Sequence, residues 1–381
     1  MSSAAPERSY VSPAPIAPRV RPRGAARWHT VLSRLFAGPL NIVVTLLSAA
    51  VLAALLWPTL RFLVWDAVWD GASRVDCLEE AVGRPIGACW PFIAARFDQF
   101  MYGFYPELQR WRVNTVYWAG LLLLIPLLIP SAPFKRLNAF GFFVAYPVFA
   151  YVMLVGGRFG LPFVETRVWG GILITLVITY VGIVASLPLA ILLALGRRSN
   201  LPIISSMTIV FIEFWRGVPL ITVLFFATYM LPFFLPGDWS IDALVRVLIG
   251  VTLFSAAYLA EVIRGGLQAI PRGQFEGAAA LGLGYWKTMG LVVVPQALKH
   301  VIPGLVNSFI ALFKDTTLVL IVSIFDLLGQ IRSAFADPNW ATPVTVLTGF
   351  AFAGIIYFVV SFAMSRYALF MERRLNTDIR L

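Results

Sequence analysis

Residues 261–299 read EVIRGGLQAIPRGQFEGAAALGLGYWKTMGLVVVPQALK. This stretch is the longest polar-containing interruption in the apolar second half of the chain, and its pattern predicts two short helices in place of a loose loop. Pro271 suits a first helical turn, where its fixed φ is already helical. Glu276, Ala278, Ala279, Ala280 and Leu281 are good helix formers. Gly282 and Gly284 then stop that helix, because glycine enters the left-handed cap without steric cost. A second amphipathic run, Tyr285 to Val294, is expected to halt at Pro295. The product is a short, stiff peg with a thin face of small side chains, held outside whatever the flanking apolar blocks build.

Those blocks dominate the chain. Of 381 residues, 59% are hydrophobic and 13% charged, and the mean hydropathy is +0.82. A soluble domain carries about 25% charged residues. The apolar runs are long enough to cross a bilayer as helices, about 20 residues each. The fold class is therefore all-α and polytopic, and a transmembrane barrel is excluded because its strands would alternate apolar and polar residues. The net charge of +11 is spread between the spans, as the positive-inside rule requires. It forms no basic stripe interleaved with stacking aromatics, so no nucleic-acid partner is expected. Two cysteines and two histidines supply no metal-ligand cluster, so no metal is expected.

Taken in order, residues 1–36 carry six arginines against the single acid Glu7; such a segment cannot bury a core and is expected to be disordered. The apolar run that follows reads as an uncleaved anchor. Eight spans are expected, at about 40–62, 113–129, 139–155, 169–195, 217–236, 241–261, 302–324 and 344–367, with both termini on the cytoplasmic side of the membrane. The loop 66–112 holds five arginines and seven acids, the balance of a translocated segment. Cys77 and Cys89 lie in it. In an oxidising periplasm they can close a short disulfide loop worth about 3 kcal/mol in the chain-entropy model; the alternative is two buried thiols. Trp57, Trp65, Trp169, Trp239 and Trp340 fall near span ends, where an aromatic belt places them. A composition break near Glu165 separates an anchor of three helices (37–165) from a five-helix unit (166–370) and a short tail (371–381).

The peg resembles the EAA loop of inner-membrane permeases from binding-protein-dependent ABC importers. In that pattern a Glu is followed by alanines, a glycine six positions on, and a hydrophobic-x-hydrophobic-Pro closing nineteen positions on. Here Glu276, Ala278, Gly282, Val292, Val294 and Pro295 are in register. Gly277 departs from it, standing where the first alanine belongs. Three further blocks, Gly170 to Ser199, Phe211 to Phe225 and Phe313 to Gly329, are similar to the polar amino-acid (HisMQ-like) branch. The added N-terminal spans look like the M-type permease of general L-amino-acid (Aap) importers. The resemblance implies a type I importer permease core, a partnership with a second, similar but different permease, ABC ATPase subunits docked on Glu276, Gly277, Ala278, Ala279, Gly282 and Pro295, and a periplasmic amino-acid-binding protein.

Candidate chemistry in the chain itself is sparse. No glycine is followed directly by lysine, so there is no phosphate-cradling loop. The chain is read as a non-enzymatic transport subunit that needs no cofactor of its own, ATP being used by a partner. Lys314 and Asp315 lie in the seventh expected span, where an ionisable residue costs about 2.5–3.5 kcal/mol at a helix centre. They either line the pathway, meeting the carboxylate and ammonium of an amino acid, or form a structural pair. Glu213 with Arg216, and Glu261 with Arg264, are spaced as one-turn pairs. An ion-gradient-driven secondary transporter is the alternative from another class; it is expected to show inverted repeats with interrupted helices, and no such internal symmetry is visible.

Overall fold

The computed structural model describes residues 31–236 and 240–375. All the regular structure among them is helical. Seven helices are long and apolar enough to cross a membrane, and a sharply bent pair makes an eighth candidate.

The chain divides into two compact units between Trp65 and Asp66. In the first, α1 (Pro39–Leu60) starts after Gly38, with Pro39 in its first turn, and runs on as a wide turn to Trp65. Residues 31–35 are also helical, so the disorder expected through residue 36 fails for that part; residues 1–30 lie outside the described residues.

The second unit holds everything else, and here the structure departs from the expected boundary near residue 165. α4 (Arg110–Leu128) and α6 (Tyr146–Val155) do not stand apart as an anchor. Val113, Val116 and Leu154 share one core with Leu173, Ile174 and Ile178 of α7 (Gly171–Arg197). The composition break marks a turn, and apolar packing runs straight across it.

The segment 66–112 is also more than a loop. It contains α2 (Trp90–Ala95) and α3 (Phe97–Tyr102), and Cys77 and Cys89 are joined by a disulfide with Cα atoms 5.8 Å apart. Phe92 and Phe100 pack with Leu327, Ile331 and Trp340, so this small cap closes one end of the bundle. A polar seam holds it there: the Cys89 N–H donates to Thr348 Oγ1 at 2.9 Å, Gln99 donates to Gln330 at 3.0 Å, and Arg96 pairs with Asp337. Trp169 and Trp340 are buried in these packings at 6% exposure. They are core residues and do not face headgroups as expected, whereas Trp57 and Trp65 are exposed. Trp239 lies outside the described residues.

The remaining helices are α8 (Pro202–Gly217), α9 (Leu220–Phe225, running on to Phe234), α10 (Ala243–Gln268), α11 (Arg272–Ala280), α12 (Val294–Asp315), α13 (Leu327–Ala334) and α14 (Pro343–Leu375). The fifth expected span, 217–236, is only one arm of a broken pair: α8, which none of the expected spans includes, and the helix after it meet at 100°. Pro219 is the cause. It offers no N–H to the preceding turn and pushes Val218 to an extended ψ of 131°. Gly182 and Gly250 sit where an added Cβ would meet Leu312 and Val223, so both permit close helix approach. Gly354 faces open space within this chain.

Candidate functional site

At the end of the bundle opposite the cap, α10 ends at Gln268 and the chain turns through Ile270, buried at 6% exposure, into α11. Pro271 is the residue before the helix, at φ −59° and ψ 145°, one position earlier than a first-turn proline. After Ala280 the chain reverses at Gly282, whose φ is +72°. Its N–H donates to Ala279 O at 2.9 Å, and the Leu283 N–H reaches back to Ala278 O at 3.1 Å. This is a glycine-terminated helix end in which the left-handed residue lets the last carbonyls find donors.

The second half of the peg corrects the expectation. It is not a separate helix stopped at Pro295. Tyr285–Thr288 leads through a wide turn, Met289–Val293, directly into α12, with Pro295 in the first turn of that helix. The wide turn explains the difference. It shifts the hydrogen-bond register just ahead of the proline, so the missing N–H falls where helix starts tolerate it. The seventh span and the second half of the peg are thus one continuous run of 38 residues, Tyr285–Val322.

α11 turns one face inward, and several residues hold it there. Ala278 is buried at 4% exposure, whereas Glu276, Gly277, Ala279, Gly282 and Pro295 are exposed. Phe275 joins Leu267, Ile270, Val293 and Ala297 in a core shared by α7, α8, α10 and α12. Gln296 donates to Gln274 at 3.0 Å and to Val292 O at 2.9 Å. One face of the peg is therefore anchored. The other, carrying Glu276, Gly277, Ala279 and Gly282 beside the exposed Leu281 and Trp286 (81% and 71%), is open. Such a face accepts a close partner, because little side chain stands between the helix backbone and what docks on it.

Just behind the peg lies an ion network that local spacing only half revealed. Glu261 accepts from Arg197 at 2.7 Å and from Arg264 at 2.9 Å; Arg197 also reaches Glu213 at 2.9 Å, and Arg216 lies 3.8 Å from Glu213. The two one-turn pairs read from sequence are joined by Arg197, at the end of α7 and 64 residues away from Glu261. The ends of α7, α8 and α10 are thereby tied together. Arg198 adds a bond to Leu267 O at 2.8 Å, where α10 hands over to the peg. No one-turn pairing involves Arg197, so only the folded chain shows it as the centre.

Lys314 and Asp315 sit at the C-terminal end of α12, where the helix tightens into the turn Thr316–Val322. They do not pair with each other among the described residues. Lys314 is exposed, and half-buried Asp315 lines a cavity of about 240 Å³ between α10 and α12, with Ser255, Tyr258, Ser308 and Phe309. The structure thus separates the two charges and directs one of them to a cavity. No His/Cys/Asp/Glu group able to hold a metal ion occurs among the described residues.

With this geometry in view, the comparisons with known proteins are specific. The family described as "Binding-protein-dependent transport system inner membrane component" matches residues 186–377, a range that contains the ion network, the peg and α10 to α14. The inner membrane amino-acid ABC transporter permease protein YhdY of Escherichia coli (strain K12) is 49% identical over 347 residues, covering 91% of this chain and 92% of that one. The glutamate/glutamine/aspartate/asparagine transport system permease protein BztC of Rhodobacter capsulatus is 38% identical, covering 98% of this chain and 100% of its own length. Among solved structures, an amino acid ABC transporter crystallised with histidines is 29% identical over 54% of this chain and 92% of that one, with a TM-score of 0.47. Both relatives are matched over more than nine-tenths of this chain and of their own length, and the family match includes the peg: the chain belongs to the family of binding-protein-dependent transport system inner membrane components.

Proposed function

We infer that this chain is the transmembrane permease subunit of an ATP-driven, binding-protein-dependent importer of polar L-amino acids. The observation that carries the inference is the peg, a helix held on one side and left open along Glu276, Gly277, Ala279 and Gly282 on the other. A permease without a nucleotide site of its own needs such a part. ATP binding alters a partner, and only a stiff element with different contacts in the two states passes that difference on. In this reading an ATPase subunit docks on the open face, and the network centred on Arg197 and Glu261 conveys its displacement to α7, α8 and α10.

The finer assignment is the M-type permease of a general L-amino-acid importer, working beside a second, similar but different permease. Both termini and the peg lie in the cytoplasm; the disulfide-bonded cap lies in the periplasm, next to an amino-acid-binding protein. The charge distribution supports that orientation: Lys135, Arg136, Arg197, Arg198, Arg264 and Arg272 fall at one end of the bundle, and the acid-rich segment 66–112 at the other. Asp315 is the pathway residue of choice, because a carboxylate in a small cavity that also offers Ser255 and Ser308 suits a substrate ammonium. Lys314 belongs to the same pathway outside that cavity, as an exposed cation one residue before Asp315.

Reconstitution tests the assignment. The permease pair, the ATPase and the binding protein in proteoliposomes should take up amino acids only with internal ATP. Uptake driven by an ion gradient without ATP would refute it.

A further inference from the structure

The hairpin formed by α4, α5 (Lys135–Phe140) and α6 carries an open crevice away from the peg and the ion network. A crevice of about 890 Å³ opens between its arms, lined by Leu123, Pro126, Ile129, Phe134, Leu137 and Ala145, among others. Its volume lies within the roughly 300–1,000 Å³ typical of small-molecule sites. Local sequence holds it open. The turn into α5 is made by Phe134 in the left-handed region, at φ +54° and 80% exposed. A wide turn, Gly141–Ala145, then shifts the returning arm, and Asn138 Nδ2 fixes the spacing by donating to Leu123 O at 2.7 Å.

The charge next to this crevice has one sign, on residues that neighbour its lining in sequence and are not part of it. Lys135 and Arg136 follow Phe134 directly, both are exposed, and neither makes an ion pair among the described residues. No Asp or Glu occurs between Glu107 and Glu165. Arg366 is exposed at the same end, next to Tyr367, whose hydroxyl donates to Leu128 O at 3.1 Å. An apolar slot beside unpaired cations at the end of a membrane hairpin matches an amphiphile with a fatty tail and an anionic head.

We propose that the α4–α6 hairpin is a binding site for one anionic phospholipid, its acyl chain in the crevice and its phosphate held by Lys135 and Arg136. The acyl chain supplies attachment and the two cations supply headgroup choice. A neutral lipid fills the slot without that second contribution, and inorganic phosphate lacks the first.

The test uses the full chain purified in a nonionic detergent, titrated with phosphatidylglycerol or phosphatidylcholine and read by native mass spectrometry of retained lipid. The wild-type chain should retain one phosphatidylglycerol with a preference over phosphatidylcholine of roughly 30-fold, the effect of two basic side chains near an anionic headgroup. Lys135→Gln with Arg136→Gln should erase the preference, and Lys135→Arg with Arg136→Lys should keep it. Ala145→Phe, which narrows the slot, should weaken retention of both lipids. Inorganic phosphate should not compete. Equal retention of the two lipids by the wild-type chain overturns the proposal whatever the variants do. So does an unchanged preference in the glutamine variant, or displacement by phosphate alone.

Discussion

Gly282 offers a test in which two explanations predict opposite orders. It sits at φ +72°, and a Cβ added there would meet nothing within 4 Å of this chain. Sterics inside the chain therefore permit a side chain, and the cost lies in the backbone: about 1–2 kcal/mol for a residue other than glycine in the left-handed region, with Asp and Asn suffering least. If Gly282 only ends the helix, Gly282→Ala should be the worse substitution, because alanine lacks the local hydrogen bonds that let Asp tolerate this conformation. If Gly282 lies against an ATPase, the order reverses: alanine adds one methyl, whereas Asp places a charge in a contact built for close approach. With an ATPase docked there, Gly282→Ala should keep reduced uptake, about 5–30-fold down at most for a cost of that size, and Gly282→Asp should abolish it. ATP-dependent uptake and co-purification of the ATPase, measured on both variants at matched amounts of folded permease, decide the order. Aspartate transporting as well as alanine, with the ATPase still bound, would refute the docking role.

Other consequences concern the surroundings. Gly277 also faces open space, so Gly277→Ala should stabilise α11 by about 1 kcal/mol without loss of uptake, seen as slower limited proteolysis between residues 270 and 285. Glu261→Gln should cost about 1.5–3 kcal/mol, the worth of hydrogen bonds to a charged group, and should lower the ATPase rate's response to substrate; a normal response would dissociate the network from coupling. Replacing Cys77 and Cys89 by serine should cost about 3 kcal/mol in the chain-entropy model, read as a lower melting temperature that reductant reproduces in the wild-type chain. Asp337 is pushed up by burial, but the Arg96 guanidinium and the Asn339 N–H outweigh this and hold its carboxyl below the usual range; Asp76 is held low by the N–H groups of Ala72 and Ser73. A depressed folded-state value gives stability that is present above about pH 4 and drains as the pH falls through the folded value. The cap should therefore loosen in acid, and Asp337→Asn should flatten that dependence in a melt followed against pH.

Much of this was legible before folding because it depends on local rules. The length of each apolar run, the glycine at 282 and the small residues of α11 act within a turn or two of chain. What escaped reading depends on partners far away in sequence. Pro295 reads as a stop, yet a wide turn five residues long carries the helix through it. Arg197 reads as one more basic residue at a span end, and becomes central only when α10 brings Glu261 to it. The segment 66–112 reads as a charged loop because its apolar residues Phe92 and Phe100 gain meaning only against Ile331 and Trp340. Trp169 and Trp340 mislead for the same reason: tryptophan at a span end is consistent with either a headgroup belt or a core, and only the cap decides.

The most direct measurement exploits the cysteines. No free cysteine occurs among the described residues, and the two in the chain are bonded, so Ala279→Cys on the open face of α11 adds a single reactive thiol. Labelled with a photoactivatable cross-linker in membranes that contain the assembled importer, it should form its adduct with an ATP-hydrolysing subunit, and the yield should change when a non-hydrolysable nucleotide is added. Adducts to lipid alone, indifferent to nucleotide, would contradict the claim that this helix carries the force of ATP into the membrane.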